Sequence, residues 1–333
     1  MIESYKEFSK LHYIVAQHYT DIDNRVGIET MQKYKSIILA KLNDAVVYFI
    51  LLLGLTVTSS LASNGAAEVS FTYLQNRPAV YISVNDSDPL LVILDTGLGR
   101  GLMLDNSVAQ NLKLTALEKQ TVDNLGMGQL TLQRYQSSLA KLGDFTFTIE
   151  NINGDENLNK MLNMMGKDTS GNRPVGVLSL WAFNELAVTL DLTKNILGID
   201  REKILESQTQ SVVKYRHSDP LPTFLIDINN QSYSAHLDSG SPAPLILPYS
   251  MVKNFEYHVE PTIKGRAMTA GKKHSIWAAK LNGKISFAGI VLDEPNVLFM
   301  DGLPQVNVGL AFFNQAKLTF DTKNHLLQVR PSV

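Results

Sequence analysis

Two short stretches carry the same chemical signature. Leu91-Val92-Ile93-Leu94-Asp95-Thr96-Gly97 and Ser234-Ala235-His236-Leu237-Asp238-Ser239-Gly240 each run an apolar-leaning segment into an aspartate, a hydroxyl residue and a glycine. Either one alone is an ordinary turn after a strand, because Asp, Ser and Gly all favour turns. Taken as a pair, they offer acid–base chemistry. Two carboxylates a few ångströms apart cannot both ionise, so they share one proton. The ionised partner can take a proton from a water, and the protonated partner can give one up. The glycine after each Asp-Thr or Asp-Ser lets backbone pass close to a carboxylate and leaves N–H groups free to bind it.

Whether the two aspartates meet depends on what surrounds them, and the surroundings repeat. Each motif is followed by a second apolar run, Leu102-Met103-Leu104 in the first copy and Leu245-Ile246-Leu247 in the second. A glycine-bearing turn comes next, Leu125-Gly126-Met127-Gly128 or Thr269-Ala270-Gly271, and then alternating strands. The last block sets Val175-Gly176-Val177 against Val308-Gly309-Leu310. These are followed by Phe183 and Asp191 in one copy and by Phe313 and Asp321 in the other. Ordered recurrence of this kind marks an internal repeat. We read two homologous lobes, 66–205 and 206–333, with a polar linker over 206–219. Both are rich in short Val, Ile, Leu, Thr and Phe runs bounded by Gly, Asn, Asp and Pro, a β pattern. Helix is expected only over Ser107–Leu112 and Asp155–Met165, with a turn near Trp181–Asn184.

Composition closes off other chemistries. The 333-residue chain is 44% hydrophobic and 19% charged, enough for a sizeable core. Its net charge of −2, with no long basic run, gives no sign of nucleic-acid binding. It has no cysteine, which removes disulfides, thiolate metal sites and a cysteine nucleophile. No Gly-x-Ser-x-Gly and no paired-histidine metal motif is present. Neither a cofactor nor a metal is expected. Gly97-x-Gly99-x-Gly101 has Leu102 where a dinucleotide fingerprint needs spacing to a third glycine, and its flanks are β rather than βαβ. His236 reads as a packed histidine, and Trp181 and Trp277 as core or cleft-wall residues. Arg100 reads as a solvated loop arginine.

Residues 45–57 read AVVYFILLLGLTV, an uncharged run preceded by Lys33, Lys35 and Lys41 and followed by Ser60-Leu61-Ala62. It is short for a membrane span and suits the apolar region of a signal peptide or a short anchor. Residues 1–62 are therefore set aside from the fold. The rest is expected to be exported, periplasmic or secreted, or held at a membrane through 45–57 with the lobes outside the cytoplasm.

The paired motifs and later apolar-Gly-apolar blocks resemble the aspartic peptidases of pepsin and retropepsin type, over about residues 75–330. The resemblance implies a mainly β fold of two barrel-like lobes around a substrate cleft. It implies aspartic endopeptidase activity on polypeptide bound in extended form, as in strand addition. Catalysis would fall to Asp95 and Asp238. Thr96, Gly97, Ser239, Gly240 and Ser241 would shape the two loops, with Thr96 and Ser239 hydrogen-bonded across them. Gly176 and Gly309 would be the supporting turns. Leu125, Gly126, Met127 and Gly128 would form the flap over the substrate. Both aspartates lie in one chain, so a monomer suffices.

Two departures from the family pattern stand out. Ser241 follows the second motif as the family would have it, but Leu98 follows the first. Leucine cannot hydrogen-bond a carboxylate, so the protonated form should be favoured and the pH optimum milder than that of digestive relatives. The flap also has Leu125 and Met127 where the pepsin branch has a tyrosine. These departures motivate an alternative reading, a two-lobed peptide-binding protein with weak or lost catalysis.

Overall fold

A computed structural model describes residues 65–99, 101–123, 128–206, 211–217, 221–269, 272–313 and 315–331, all within the compact unit Asn64–Val333. The apolar run 45–57 and the expected flap residues Leu125, Gly126 and Met127 lie outside the described residues. No helix among the described residues is long and apolar enough to cross a membrane.

The protein is mainly β. The first copy contributes β1 (Ala66–Ser70), β2 (Thr72–Leu74), β3 (Arg77–Val84), β4 (Leu90–Asp95), β5 (Leu102–Asp105), β6 (Ala116–Asp123) and β7 (Gln129–Tyr135). It continues with β8 (Ser138–Leu142), β9 (Phe145–Ile149), β10 (Ile152–Asp155), β11 (Gly176–Ser179), β12 (Ala187–Asp191) and β13 (Ile196–Asp200). The second copy contributes β14 (Val212–Lys214), β15 (Arg216–His217), β16 (Pro222–Ile228), β17 (Gln231–Asp238), β18 (Leu245–Pro248), β19 (Tyr257–Thr269) and β20 (Lys272–Leu281). It ends with β21 (Lys284–Phe287), β22 (Ile290–Asp293), β23 (Asn296–Met300), β24 (Val306–Gly309), β25 (Lys317–Asp321) and β26 (Leu326–Arg330). Two short helices, α1 (Asn106–Asn111) and α2 (Leu158–Asn163), fall in the two segments read as helical. Leu180–Ala182, Tyr249–Asn254 and Leu310–Phe312 are 3-10 turns.

The repeat is written into the strand order. One ten-stranded sheet runs β6-β7-β10-β5-β11-β4-β3-β8-β9, with β2 paired to β3. The other runs β19-β20-β23-β18-β24-β17-β16-β21-β22, with β15 paired to β16. Place for place, the two orders correspond. Each path has two free ends, so among the described residues neither is a closed barrel. In the first, β8 attaches to β3 only through Ser83↔Lys141 and Val84↔Ala140.

A third sheet, β1-β13-β12-β25-β26-β14, is shared. Its centre is the antiparallel pair β12–β25, with Leu190 opposite Leu318 and Thr189 opposite Thr319. Phe183, Leu190, Phe313 and Leu318 from the two copies belong to one buried core. Burial of each such side chain contributes roughly 1.5–3 kcal/mol. The stretch read as a loose linker carries β14 and β15, and Tyr215 between them is 2% exposed. Val212, Val213 and Tyr215 give this charged segment enough apolar surface to be drawn into the sheet.

Candidate active site

The apolar run before Asp95 makes β4 a central strand. It is flanked by β3 antiparallel and β11 parallel, and its residues Leu91 to Leu94 are all at most 2% exposed. A near-continuous apolar run is what a strand buried on both faces requires. β17 occupies the matching place between β16 and β24. Each strand ends at its aspartate, where the chain turns back.

The two turns interlock. Thr96 Oγ1 donates to Leu237 O at 2.7 Å and accepts from Ser239 N at 2.9 Å. Ser239 Oγ donates to Leu94 O at 2.9 Å and accepts from Thr96 N at 2.9 Å. Both residues are nearly or fully buried, so every donor and acceptor must find a partner, and each finds it in the other turn. The structure thus brings Asp95, Thr96, Gly97, Asp238, Ser239 and Gly240 together.

The carboxyl groups of Asp95 and Asp238 flank the same glycine: a Cβ on Gly97 would stand 3.0 Å from Asp238 Oδ1 and 3.1 Å from Asp95 Oδ1. A Cβ placed on Gly240 would stand 2.6 Å from Asp95 Oδ2, and one on Gly97 would stand 2.9 Å from Asp238 Cγ. Only glycine leaves room for each carboxylate against the opposite turn. Gly97 N donates to Asp95 Oδ1 at 2.7 Å. Burial pushes the Asp95 carboxyl well above the usual carboxylate range, and the neighbouring Asp238 adds to the rise. The N–H groups of Gly97 and Gly240 pull the other way without cancelling it. As whole residues both aspartates keep part of their surface exposed, which leaves access for water.

Two expectations need correction. First, Gly176 is not the counterpart of Gly309. Gly309 pairs with Asp238 across β24 and β17, but Asp95 pairs with Ser179, and Gly176 lies three residues lower beside Val92. The counterparts of Leu310 and Phe313 are Leu180 and Phe183, so the two Val-Gly blocks match in pattern but not in register. Gly309 has a local reason to be glycine, since a Cβ there would meet Ala243 O at 2.0 Å. In the first copy Ser179 Oγ instead donates to Leu98 O at 2.6 Å.

Second, Ser241 Oγ makes no hydrogen bond among the described residues, so it does not hold a carboxylate. The Leu98 side chain packs against an apolar cluster that includes Leu91, Ile93 and Val177, and Val122 and Leu130 of the β6–β7 hairpin join the same cluster. Of the expected flap residues only Gly128 is described. It is buried and just precedes β7, which pairs with β6 from Ala116↔Tyr135 to Asp123↔Gln129.

Two groups at the site were not anticipated. Arg77, at the start of β3, donates through Nε to Gly240 O at 2.6 Å, and its charge acts on Asp238 and Asp95. Asn307 Nδ2 donates to Asp238 Oδ2 at 2.6 Å. Trp181, read as core or cleft wall, donates through Nε1 to Thr96 O at 3.0 Å and stacks near Tyr215 and Phe320. No cluster of histidine and acidic side chains suited to a metal ion occurs among the described residues.

Residues 225–312, which contain Asp238 and Gly309, match a family model described as aspartyl protease. No match was found among curated proteins.

Proposed function

We propose, for a chain whose residues 225–312 match the aspartyl protease family model, an endopeptidase whose dyad is Asp95 and Asp238. The observation that carries this reading is the interlocked pair of turns. Thr96 and Ser239 fix the two loops, and the glycines beside them leave the carboxyl groups facing each other. With one proton shared, the ionised carboxylate takes a proton from water as the water oxygen attacks the peptide carbonyl carbon. The protonated carboxyl gives its proton to the carbonyl oxygen, forming a neutral tetrahedral diol. Collapse of the diol then breaks the C–N bond as the amine is protonated.

The substrate is an extended polypeptide with apolar side chains near the cut. Leu98, Val122 and Leu130 form a half-buried apolar strip from the Asp95 turn to the β6–β7 hairpin. In the second copy Ile246 of β18 and Ala267 and Ile276 of the β19–β20 hairpin are part-buried against Met300 and Leu303. The reading as a binding protein without catalysis rests on Leu98 and on the flap residues Leu125 and Met127. The Leu98 side chain packs against the apolar cluster, and the two flap residues lie outside the described residues. Export through the 45–57 segment remains part of the proposal on its sequence alone, and cell fractionation tests it.

Incubation of the full chain with an unfolded protein, from acid to neutral pH, tests the activity. Cleavage should appear and be abolished by Asp238→Asn and by a pepstatin-type inhibitor. A folded chain that cleaves several unfolded substrates at no pH would overturn the proposal.

A further inference from the structure

A polar file lies behind Asp238, buried at Asn307 and His236 and half-buried at Gln305 and Ser234, and among the described residues it has no equivalent behind Asp95. Asn307 Nδ2 stands 2.6 Å from Asp238 Oδ2 and 3.2 Å from His236 Nε2. Gln305 Nε2 stands 3.2 Å from His236 Nδ1, and Ser234 Oγ donates to Gln305 Oε1 at 3.3 Å. His236 and Asn307 are register partners on β17 and β24. The same register position on β4 and β11 holds Ile93 and Val177, 1% and 5% exposed. One lobe therefore backs its aspartate with hydrocarbon and the other with hydrogen-bond donors.

The proton inventory fixes the direction of the file. The Asn307 amide nitrogen has two protons, one for Asp238 and one for His236 Nε2. His236 Nε2 must then carry a lone pair, so the neutral imidazole keeps its proton on Nδ1. This inventory requires the Gln305 amide to be turned over from the orientation just described, with its carbonyl oxygen toward Nδ1 and its nitrogen toward Ser234 Oγ, because two amide nitrogens cannot both donate to one neutral imidazole. Turning Asn307 over would set its carbonyl oxygen against the Asp238 carboxylate, a repulsive contact unless Asp238 were protonated. His236 thereby holds Asn307 in its donating orientation. Burial keeps the imidazole below its ordinary value despite the pull of Asp238, which favours the neutral form the file needs.

The charged and titratable groups facing Asp238 are Asp95 from β4, Arg77 from β3 and His236 on its own strand. Arg77 acts more strongly on Asp238 than on Asp95. Asp95 does receive the Gly97 and Gly240 N–H groups, but burial outweighs them.

We infer that Asn307, oriented by His236, divides the roles of the dyad: Asp238 carries the negative charge and Asp95 the shared proton. This rests on the proposed peptidase reading. Asp238 then takes the water proton, the hydroxide oxygen bonds to the carbonyl carbon, and Asp95 donates to the carbonyl oxygen. Asn307 and His236 are positioning residues.

The test has two readouts on the full chain. In wild type, carboxyl carbon NMR shifts followed against pH should show the Asp238 carbon responding to the first deprotonation of the pair and Asp95 to the second. In Asn307→Leu, kcat should fall about 10-fold or more with KM nearly unchanged, the size of one hydrogen bond to a charged group. The acid limb of the activity profile should move to higher pH, since the base has lost a donor to its charged form. His236→Gln, which keeps an acceptor, should retain more of the wild-type profile than His236→Leu. Asp95 responding first, or a folded Asn307→Leu with an unmoved acid limb, overturns the inference. If wild type cleaves nothing, the peptidase reading fails, and the order of the two NMR responses still decides this one. If Asn307→Leu does not fold, the wild-type titration decides alone.

Discussion

Thr96 Oγ1 and Ser239 Oγ each accept the backbone N–H of the other's residue at 2.9 Å, while each donates to a carbonyl on the opposite strand. Neither hydroxyl can be removed without stranding a buried amide and a buried carbonyl. An unsatisfied buried group costs about 1–3 kcal/mol. Thr96→Ala or Ser239→Ala should therefore lower unfolding stability by roughly 2–6 kcal/mol, summing two such groups. The double variant should cost clearly less than the sum, because both deletions dismantle one network. Denaturant titration measures this, and strict additivity would show that the two turns are held independently.

Arg77 reaches across from β3 to Gly240 O and places positive charge beside both aspartates. Arg77→Leu removes a charge that favours the ionised carboxylates. Both limbs of the activity profile should then move to higher pH, by about half to one pH unit given the half-buried setting. Arg77→Lys keeps the charge and loses the planar donor, so its limbs should move less although the protein is less stable. Equal movement in the two variants would assign the effect to loop geometry rather than charge.

Asp95 holds its proton in the folded protein at pH values where an unfolded chain, with the ordinary carboxyl value of 3.8, has released it. Above 3.8 the folded state binds more protons than the unfolded state, so this group's contribution to stability drains away as pH rises through its folded pKa. Below 3.8 both states are protonated and the contribution is fully present. Asp95→Asn cannot ionise and should escape that loss. Its Tm should rise relative to wild type between pH 4 and pH 7, while cleavage falls about a thousandfold or more. A Tm difference that stays flat over this range would mean that burial of Asp95 carries no ionisation cost.

What the sequence disclosed and what it hid follow from how locally each feature is encoded. The Asp-Thr-Gly and Asp-Ser-Gly turns are local, and their chemistry demands those residue types, so both could be read directly. The mainly β character was legible because short Val, Ile and Thr runs alternate with turn residues. Val-Gly blocks occur in both copies, but strand register depends on contacts across the sheet. Counting back from Phe183 and Phe313 would have placed Ser179, not Gly176, opposite Asp95. Val212, Val213 and Tyr215 were outweighed by the charged residues around them. Arg77 meets Gly240 across 163 residues, and no local pattern records that contact. Asn307 left one trace: its register partner His236 is a buried polar residue in a strand whose counterpart is wholly apolar at that point.

The pairing of β12 with β25 sets Thr189 and Thr319, equivalent residues of the two copies, 3.0 Å apart through their hydroxyls. Separated from its sister, either half would expose that strand as an unpaired edge already suited to a copy of itself. A self-paired half would bring two identical aspartates together, with identical neighbours on both sides. Joining the halves in one polypeptide lifts that constraint. Isoleucine can stand behind one carboxylate and histidine behind the other, and leucine can follow one turn and serine the other. Covalent fusion thus gives mutation a handle that a symmetric pair lacks, the freedom to make the two carboxylates unequal.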